Sequence, residues 1–460
     1  MLSVRFESFR GFQDTNWVEL RPITLLIGEN SAGKTSFLAG VRYLLEAFGG
    51  ETTAPFNRSP YFLGGFEQIA HVRGGRGGRA KSFNLSLKAP GRDAETAQTS
   101  LLEEPITYLT HKFTFAKGYP QPEIETYSLS DDRLTFNVSF AHEVPRGNIS
   151  KVGALETSVA VPFNRSPPSS LIKANSSYIT ILLEELRFAA SRSGSTKQRD
   201  EEIEPVNLEA LGVTSGHMRE FLQYARVGYG PLSRHVYATA PVRTQPLRTY
   251  TPSELIASSE GSDVPLELAR AKLRSPAQWQ AVKKRLVEFG LQSGLFTDID
   301  VKQFGKNDID PFQLMVKVDG PAMNMVDVGY GISQILPIIY QVQNATSRYS
   351  TFLLQQPEVH LHPRAQAALG SLFAQAIKRP KSRPLFVIET HSDYIIDRLR
   401  IEIAEKKIES KDVTIIFFER TQHGTEVSNL FVDANGEIQN PPPNFRGFFL
   451  DEHARLLGLD

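Results

Sequence analysis

The sequence contains no cysteine, which excludes disulfide bonds, thiolate zinc sites and cysteine nucleophiles. It also has no net charge, because 51 Lys and Arg residues balance 51 Asp and Glu residues. No overall charge therefore attracts the protein to nucleic acid or to a membrane surface. No uncharged apolar run approaches the roughly 20 residues that a transmembrane helix needs. The N-terminus alternates polar and apolar residues like a strand, unlike a signal peptide. These absences predict a cytoplasmic protein that does not contact membranes.

The chain is long enough for two or three domains, with 460 residues of which 40% are hydrophobic. Residues 1–180 are predicted to form an N-terminal lobe with a nucleotide-binding core and an antiparallel β subdomain. Residues 181–290 show helical periodicity and are predicted to form a helical insertion, whose last helix starts at Ser275-Pro276 and ends at Gly290. Residues 291–460 alternate strands with helices, which is typical of a parallel α/β sheet.

The strongest motif is Gly28–Thr35, with the sequence GENSAGKT, between an apolar strand and an amphipathic helix. This is the G-x-x-x-x-G-K-T pattern, whose backbone N–H groups and helix N-terminus bind phosphate groups. Lys34 is expected to reach the β- and γ-phosphates and Thr35 to bind Mg²⁺. The alternative is a glycine-rich turn with a chance Lys-Thr pair. The predicted nucleotide-binding residues are Gly28, Glu29, Asn30, Ser31, Ala32, Gly33, Lys34, Thr35 and Ser36.

A second motif, DVGYGISQILPIIYQV, covers residues 327–342. Gly331 and Ser333 come at the start of an apolar helix, where backbone donors and a hydroxyl group suit phosphate. By itself the pattern also fits an ordinary helix start.

A third motif, PLFVIETHSDYII, brings Glu389 and His391 to the end of a predicted central strand. A histidine there is able to hydrogen-bond a γ-phosphate or an attacking water. The alternative is that His391 has only a structural role.

These motifs, in this order, resemble those of an ABC-type ATPase head of the RecF/SMC/OLD-like branch. Four segments are similar in sequence to segments of the AAA-type predicted ATPases of bacterial phage-defence loci: IGENSAGKTS, VGYGISQILPI, PEVHLHPRAQ and ETHSD. The Pro-Arg segment YATAPVRTQPLRTY, residues 237–250, is similar to one found in the same group. The resemblance implies an α/β ABC-ATPase head with a P-loop core sheet, an antiparallel β subdomain and an inserted helical region. It also implies that two heads enclose two ATP molecules, with Gly331 and Ser333 acting on the partner's nucleotide.

Two glutamines stand where the resemblance places the acids of the Walker B motif. Those acids bind Mg²⁺ and polarise the attacking water. Gln355 takes the metal position and Gln356 the catalytic position, and a neutral amide is not a general base near pH 7. Either hydrolysis is slow, which we favour, or Glu358 or Glu389 supplies the missing carboxylate. A substitution introduced to block hydrolysis would look the same in the sequence.

The glycine-rich segment HVRGGRGGRAKSF, residues 71–83, is called the tip here. It carries Arg73, Arg76 and Arg79, which are candidates for binding the phosphates of DNA or RNA. The alternative is a solvated hairpin loop. Gln68 is a candidate for a glutamine that senses Mg²⁺, and Arg10 contacts nucleotide or caps a strand edge.

The leading hypothesis is an ATP-switched sensor or scaffold of an anti-phage complex. The effector, a nuclease or toxin, is expected on a separate polypeptide, because the sequence after the last predicted strand is short. The alternative is a RecF-type ATPase of DNA repair or chromosome maintenance that binds DNA in its ATP state. A transporter's ATPase subunit is a weaker third hypothesis, because the insertion before the second motif is long. The implied cofactors are ATP and Mg²⁺, and the implied partners include a second copy of the chain.

Overall fold

The structure is a computed structural model. It describes residues 2–49, 56–72, 78–90, 106–115, 121–131, 134–140, 146–151, 158–161, 235–241, 245–252, 261–307, 309–422, 424–442, 445 and 455. The part of the expected helical insertion from residue 181 to residue 234 lies outside these ranges.

Strands outnumber helices in the described residues. The strands are β1 (Leu2–Phe9), β2 (Phe12–Asp14), β3 (Val18–Leu20), β4 (Ile23–Gly28), β5 (Asn57–Arg58), β6 (Tyr61–Phe62), β7 (Ser82–Pro90), β8 (Ile106–Phe115), β9 (Pro122–Ser130), β10 (Leu134–Ser139), β11 (Arg146–Lys151), β12 (Ser158–Val161), β13 (His235–Thr239), β14 (Asp298–Gln303), β15 (Phe312–Lys317), β16 (Met323–Asn324), β17 (Ser350–Gln355), β18 (Leu385–Glu389), β19 (Val413–Thr421) and β20 (Gly424–Phe431). The helices are α1 (Lys34–Gly49), α2 (Phe66–Ile69), α3 (Val264–Arg274), α4 (Pro276–Ser293), α5 (Tyr330–Asn344), α6 (Pro363–Ile377) and α7 (Asp393–Ala404).

The chain divides into two compact units rather than into the three segments expected from the sequence. The first unit contains residues 1–20, 35–235 and 420–427, and the second contains residues 21–34, 236–419 and 428–460. The described part of the expected helical insertion belongs mostly to the second unit, and it includes strand β13. Helical periodicity did not reveal this strand, because it is only five residues long.

The first unit is built on a nine-stranded antiparallel sheet. Its order is β12-β11-β10-β9-β8-β7-β1-β2, and β3 also pairs with β1. Aromatic side chains fill its core: the Phe6 ring lies 5.1 Å from that of Phe37 on α1, and the Phe83 and Phe113 rings stack at 4.8 Å. Such rings bury large apolar areas in favourable edge and stacked contacts. The expected antiparallel β subdomain is confirmed.

The second unit contains most of a six-stranded sheet with the order β13-β17-β18-β4-β19-β20. Its central pairs, β17–β18, β18–β4 and β4–β19, are parallel. Every residue of β17 and β18 is buried, which explains their continuous apolar runs, because helices cover both faces of a parallel sheet. The carboxyl ends of β4, β17 and β18 therefore meet at one edge, where ligands bind in open α/β sheets. The α/β fold class is confirmed.

Helix α4 shows how local signals set the ends of an element. The Ser275 hydroxyl accepts a hydrogen bond from the Gln278 N–H at 3.3 Å, which confirms the expected start. The expected end at Gly290 is wrong, because that residue packs inside the helix against Phe296. The helix continues to Ser293 instead. In the part of the chain that the structure describes, no helix is both long and apolar enough to cross a membrane.

Candidate functional site

The P-loop connects β4 with α1, as the motif predicts. Gly28 ends the strand with a φ of 145°, and a Cβ atom there would lie 2.2 Å from the carbonyl oxygen of Phe418 on β19. Ser31 and Gly33 also have positive φ angles, of 62° and 95°. Only glycine fits the first position, because the loop leaves the sheet in direct contact with the neighbouring strand.

Lys34 folds over its own loop. Its ammonium group donates hydrogen bonds to the carbonyl oxygens of Gly28 at 2.9 Å and Glu29 at 2.7 Å. Burial lowers the pKa of Lys34, and the charges of Glu389 and Glu29 oppose this shift. A buried ammonium group held by two carbonyls is a strong attractor for an anion, because a phosphate offers the counter-charge that carbonyl oxygens do not.

Thr35 and Ser36 continue the P-loop into the first unit. The Ser36 hydroxyl accepts a hydrogen bond from Nε of Arg10 at 3.3 Å, and another guanidinium N–H of Arg10 donates to the Gln68 carbonyl at 2.9 Å. Burial lowers the pKa of Arg10. The Gln68 side-chain oxygen accepts from the Gly65 N–H at 2.9 Å and so caps its own helix. A role of Gln68 toward Mg²⁺ stays a prediction.

The two glutamines lie at the end of β17, opposite a carboxylate on the next strand. Gln355 pairs in register with Glu389, and its side-chain N–H donates to Oε2 of Glu389 at 3.2 Å. Both side chains are buried. Gln356 has a φ of 41°, and its backbone N–H donates to the Glu389 carbonyl at 2.7 Å. A left-handed non-glycine residue is strained, and such residues are frequent at functional sites.

Glu358 and His391 form a second contact at the same edge. Oε1 of Glu358 accepts a hydrogen bond from the His391 backbone N–H at 2.7 Å. Burial and the charge of Lys34 lower the pKa of His391, while Glu389 raises it. The imidazole is therefore neutral near pH 7 and is able to donate or accept one hydrogen bond.

The second motif forms the N-terminus of α5. A Cβ atom at Gly331 would lie 2.5 Å from the His360 carbonyl oxygen, so the helix start and the loop after β17 are in direct contact. The Tyr330 and His360 rings meet edge to face at 5.0 Å. The Ser333 hydroxyl donates to the Tyr330 carbonyl at 2.8 Å.

A pairing that the sequence did not reveal holds the Pro-Arg segment beside this motif. The Arg248 guanidinium forms two hydrogen bonds to the Asp327 carboxylate, at 2.9 and 2.5 Å. The Asn324 side chain donates to the Arg248 carbonyl at 2.9 Å. Opposite charges 79 residues apart carry no signal in a single sequence, so only the folded chain shows the pair.

The nucleic-acid tip stays a prediction, because two of its three candidate arginines are not described. Arg73 and Arg76 lie outside the described residues. Arg79 is exposed, and its guanidinium donates to the Ala70 carbonyl at 3.1 Å, which stabilises the local turn.

The second unit thus brings Lys34, Gln355, Glu358, Glu389 and His391 to one sheet edge. The oxygen atoms of Gln355 and Glu389 are ligands of the kind that Mg²⁺ prefers, and the buried Glu389 carboxylate supplies the negative charge that Gln355 lacks. These residues fit a magnesium ion with a nucleotide.

Residues 256–396 match the family model described as an AAA ATPase domain. This match covers less than a third of the chain and supports an ATPase domain there. Among curated proteins, none matches the chain.

Several solved structures are similar to the chain at low sequence identity. An Smc head bound to the C-terminal winged-helix domain of ScpA has a TM-score of 0.44 and 8% identity, covering 93% of this chain and 97% of that one. An Smc head with an extended coiled coil, bound to the C-terminal domain of ScpA from Pyrococcus furiosus, has a TM-score of 0.43 and 11% identity, covering 99% and 100%. The SMC head domain from Thermotoga maritima has a TM-score of 0.37 and 9% identity, covering 93% and 97%. These low TM-scores indicate a distant resemblance.

Proposed function

We propose that the chain is an ABC-type ATP switch that binds ATP with Mg²⁺ and hydrolyses it slowly; the similarity of residues 256–396 to an AAA ATPase domain supports this proposal. The observation that carries this proposal is the pairing of Gln355 with Glu389 beside Lys34. The lysine and the P-loop amides supply the phosphate site, and Glu389 supplies one carboxylate near it. This arrangement favours binding more than turnover.

The residues have separate roles in this proposal. Gln355 and Glu389 would hold the magnesium ion, with the Thr35 hydroxyl as the other expected ligand, and the ion would neutralise phosphate charge. Lys34 leaves its loop carbonyls for the phosphates. His391, neutral at pH 7, hydrogen-bonds the γ-phosphate or the attacking water, and Glu358 positions His391 through its backbone N–H.

Slow hydrolysis follows from the chemistry of position 356. An amide orients a water molecule but does not take its proton. Oε2 of Glu389 accepts a hydrogen bond from Gln355, and Oε1 of Glu358 accepts one from the His391 backbone N–H, so each carboxylate already holds a neighbouring group in place. General-base catalysis contributes about 10²–10⁴-fold in other enzymes.

Two further steps belong to the proposal. ATP brings two copies together, with Gly331 and Ser333 of one copy on the nucleotide of the other. The assembly acts in the cytoplasm as a sensor or scaffold of an anti-phage system with a separate effector, such as a nuclease or toxin. The resemblance of the motif sequences to those of phage-defence ATPases supports this role. Co-purification of an effector from the native host tests it.

Calorimetric titration with ATP and Mg²⁺ tests the site. We expect Lys34→Ala to abolish binding, because no other described cation replaces the ammonium group between Gly28 and Glu29. The control Lys411→Ala, which removes an exposed lysine paired with Glu409, should bind like the wild type. Retained affinity in Lys34→Ala would contradict the proposal.

The rate of phosphate release measures how fast the protein hydrolyses ATP. We expect the wild type to hydrolyse well below the median enzyme rate of about 10 per second, and Gln356→Glu to be at least about tenfold faster because it restores a base. A wild type that turns over at ordinary rates, or a Gln356→Glu variant no faster than the wild type, contradicts the slow-switch interpretation.

A further inference from the structure

Two arginines of the second unit both bind the C-terminal turn of α5 and lie near each other there. Burial and the charge of Arg285 lower the pKa of Arg379. Arg379 donates a hydrogen bond to the Val342 carbonyl at 2.7 Å, and Arg285 donates to the Asn344 side-chain oxygen. Among the described residues, neither guanidinium group has an ion pair with an acid. Two like charges held together in partial burial are unfavourable unless an anion joins them.

One donor of this pair also lacks a partner. The Nε atom of Arg285 is buried and has no hydrogen bond in the described structure. A buried donor without a partner costs about 1–3 kcal/mol. A planar guanidinium matches the oxygen atoms of a phosphate group in two-point geometry. A phosphate would therefore accept a hydrogen bond from this N–H and also offset the repulsion between the two arginines.

Exposed basic residues surround the pair. The segments ATSRYS (345–350) and KRPKSRP (378–384) contain five Lys or Arg residues and no Asp or Glu. They are adjacent in space, because the Arg383 backbone N–H donates to the Arg348 carbonyl at 2.7 Å. The nearby Glu409 is paired with Lys411 at 2.7 Å. We call this surface the basic edge; its members are Arg285, Arg348, Lys378, Arg379, Lys381 and Arg383.

The basic edge lies at the amino ends of the parallel strands. Arg348 and Arg383 come just before β17 and β18, which begin at Ser350 and Leu385, whereas Gln355 and Glu389 lie at the carboxyl ends. A strand of five or six residues spans about 17–20 Å. A ligand here therefore does not compete with ATP for the same groups.

We propose that the basic edge binds the phosphate backbone of a nucleic acid. The half-buried pair Arg285 and Arg379 holds one phosphate, and the exposed Lys and Arg residues contact its neighbours along the strand. A row of cations around a two-arginine centre suits a regularly spaced polyanion better than a single carboxylate. The site is separate from the tip predicted around Arg79, and it does not depend on the ATP switch.

Fluorescence anisotropy with labelled single-stranded and duplex oligonucleotides, at several salt concentrations, tests the site. We expect binding that weakens with salt with a logarithmic slope of about −0.7 to −0.9 per phosphate contacted. Arg379→Ala and the surface variant Lys381→Ala should each weaken binding several-fold and reduce the slope by about one. Arg379→Lys should recover only part of the loss, because an ammonium group lacks the guanidinium fork.

The controls separate this inference from folding and from the ATP switch. Lys317→Ala removes an exposed charge on β15, a strand that contributes no member of the basic edge, and should bind like the wild type. Lys34→Ala should keep full oligonucleotide affinity, and circular dichroism should confirm that each variant is folded. The inference fails if the wild type shows no salt-dependent binding or if the basic-edge variants bind unchanged. It also fails if polyglutamate displaces the oligonucleotide more readily than unlabelled oligonucleotide does, because an acidic protein would then be the partner.

Discussion

At the scale of single residues, Gly331 and Gly329 make different demands on the backbone although they stand two positions apart. A methyl group at Gly331 would meet the His360 carbonyl at 2.5 Å, whereas nothing lies within 4 Å of one at Gly329. Gly329 also has an ordinary φ of −55°. Of these two glycines, only Gly331 is therefore needed for the close approach of the loop after β17 to the start of α5.

We expect Gly331→Ala to destabilise the protein by about 1–3 kcal/mol, because backbone atoms must move to relieve the clash. Gly329→Ala should change stability by no more than about 0.5 kcal/mol. Scanning calorimetry of the two variants measures the difference as a shift in Tm. Equal shifts would show that the contact with His360 is not needed.

The charge state of His391 is also decided by single neighbours. Burial and the charge of Lys34 hold the pKa of His391 below 6.5 in the folded state. At a pH between this lowered pKa and 6.5, the unfolded chain therefore binds more protons than the folded chain. Stability therefore rises with pH through this window and falls as the pH drops through it.

Removing the charge of Lys34 should raise the pKa of His391. In Lys34→Met we expect the His391 ring signals to titrate closer to 6.5 than in the wild type, because the repulsion disappears while burial stays. Histidine-selective NMR titration measures both values. A pKa that falls in the variant would mean that Lys34 does not act on the imidazole.

At the scale of elements, α4 and α6 are joined through one side chain. The Arg364 guanidinium donates to the carbonyl oxygens of Leu291 at 2.8 Å and Gln292 at 2.9 Å, near the end of α4. These carbonyls have no partner within the helix, and a cation there also complements the helix dipole.

We expect Arg364→Ala to lower stability by about 1 kcal/mol, because two charge-assisted hydrogen bonds at an exposed position are lost. Arg364→Lys should recover the charge interaction but not both hydrogen bonds. Its stability should therefore lie between those of the wild type and Arg364→Ala. Urea unfolding followed by circular dichroism gives the comparison. An Arg364→Ala midpoint equal to that of the wild type would show that water replaces the cap at no cost.

At the scale of the whole molecule, the proposed switch predicts that ATP changes the assembly state. A bulky cation at position 333 should block the approach of a second copy, because Ser333 stands at the exposed start of α5. Ser333→Arg should keep ATP binding through its own Lys34 but lose ATP-dependent dimers.

Light scattering coupled to size-exclusion chromatography, with and without ATP, measures this loss. Asn307→Arg, in the exposed turn between β14 and β15, is the matched control and should still dimerise. A wild type whose mass stays unchanged by ATP would contradict the proposed dimer, whatever the variants do.

The local elements of the site are visible in the amino-acid sequence alone. Gly28–Thr35 set the strand, loop and helix start, since the spacing of glycines, lysine and threonine is a local property of the chain. Apolar runs located β17 and β18, and Ser275-Pro276 located the start of α4. Each of these signals acts over a few residues, so one sequence is enough to see it.

Which distant residues meet becomes visible only in the folded chain. Strand register placed Glu389 opposite Gln355, and chain folding brought Arg248 to Asp327 and Arg285 to Arg379. It also recruited β13 into the six-stranded sheet and divided the chain into two units across the expected boundaries. The physical reason is that such contacts depend on the packing of whole elements, and the partners lie tens of residues apart with no local signal that links them.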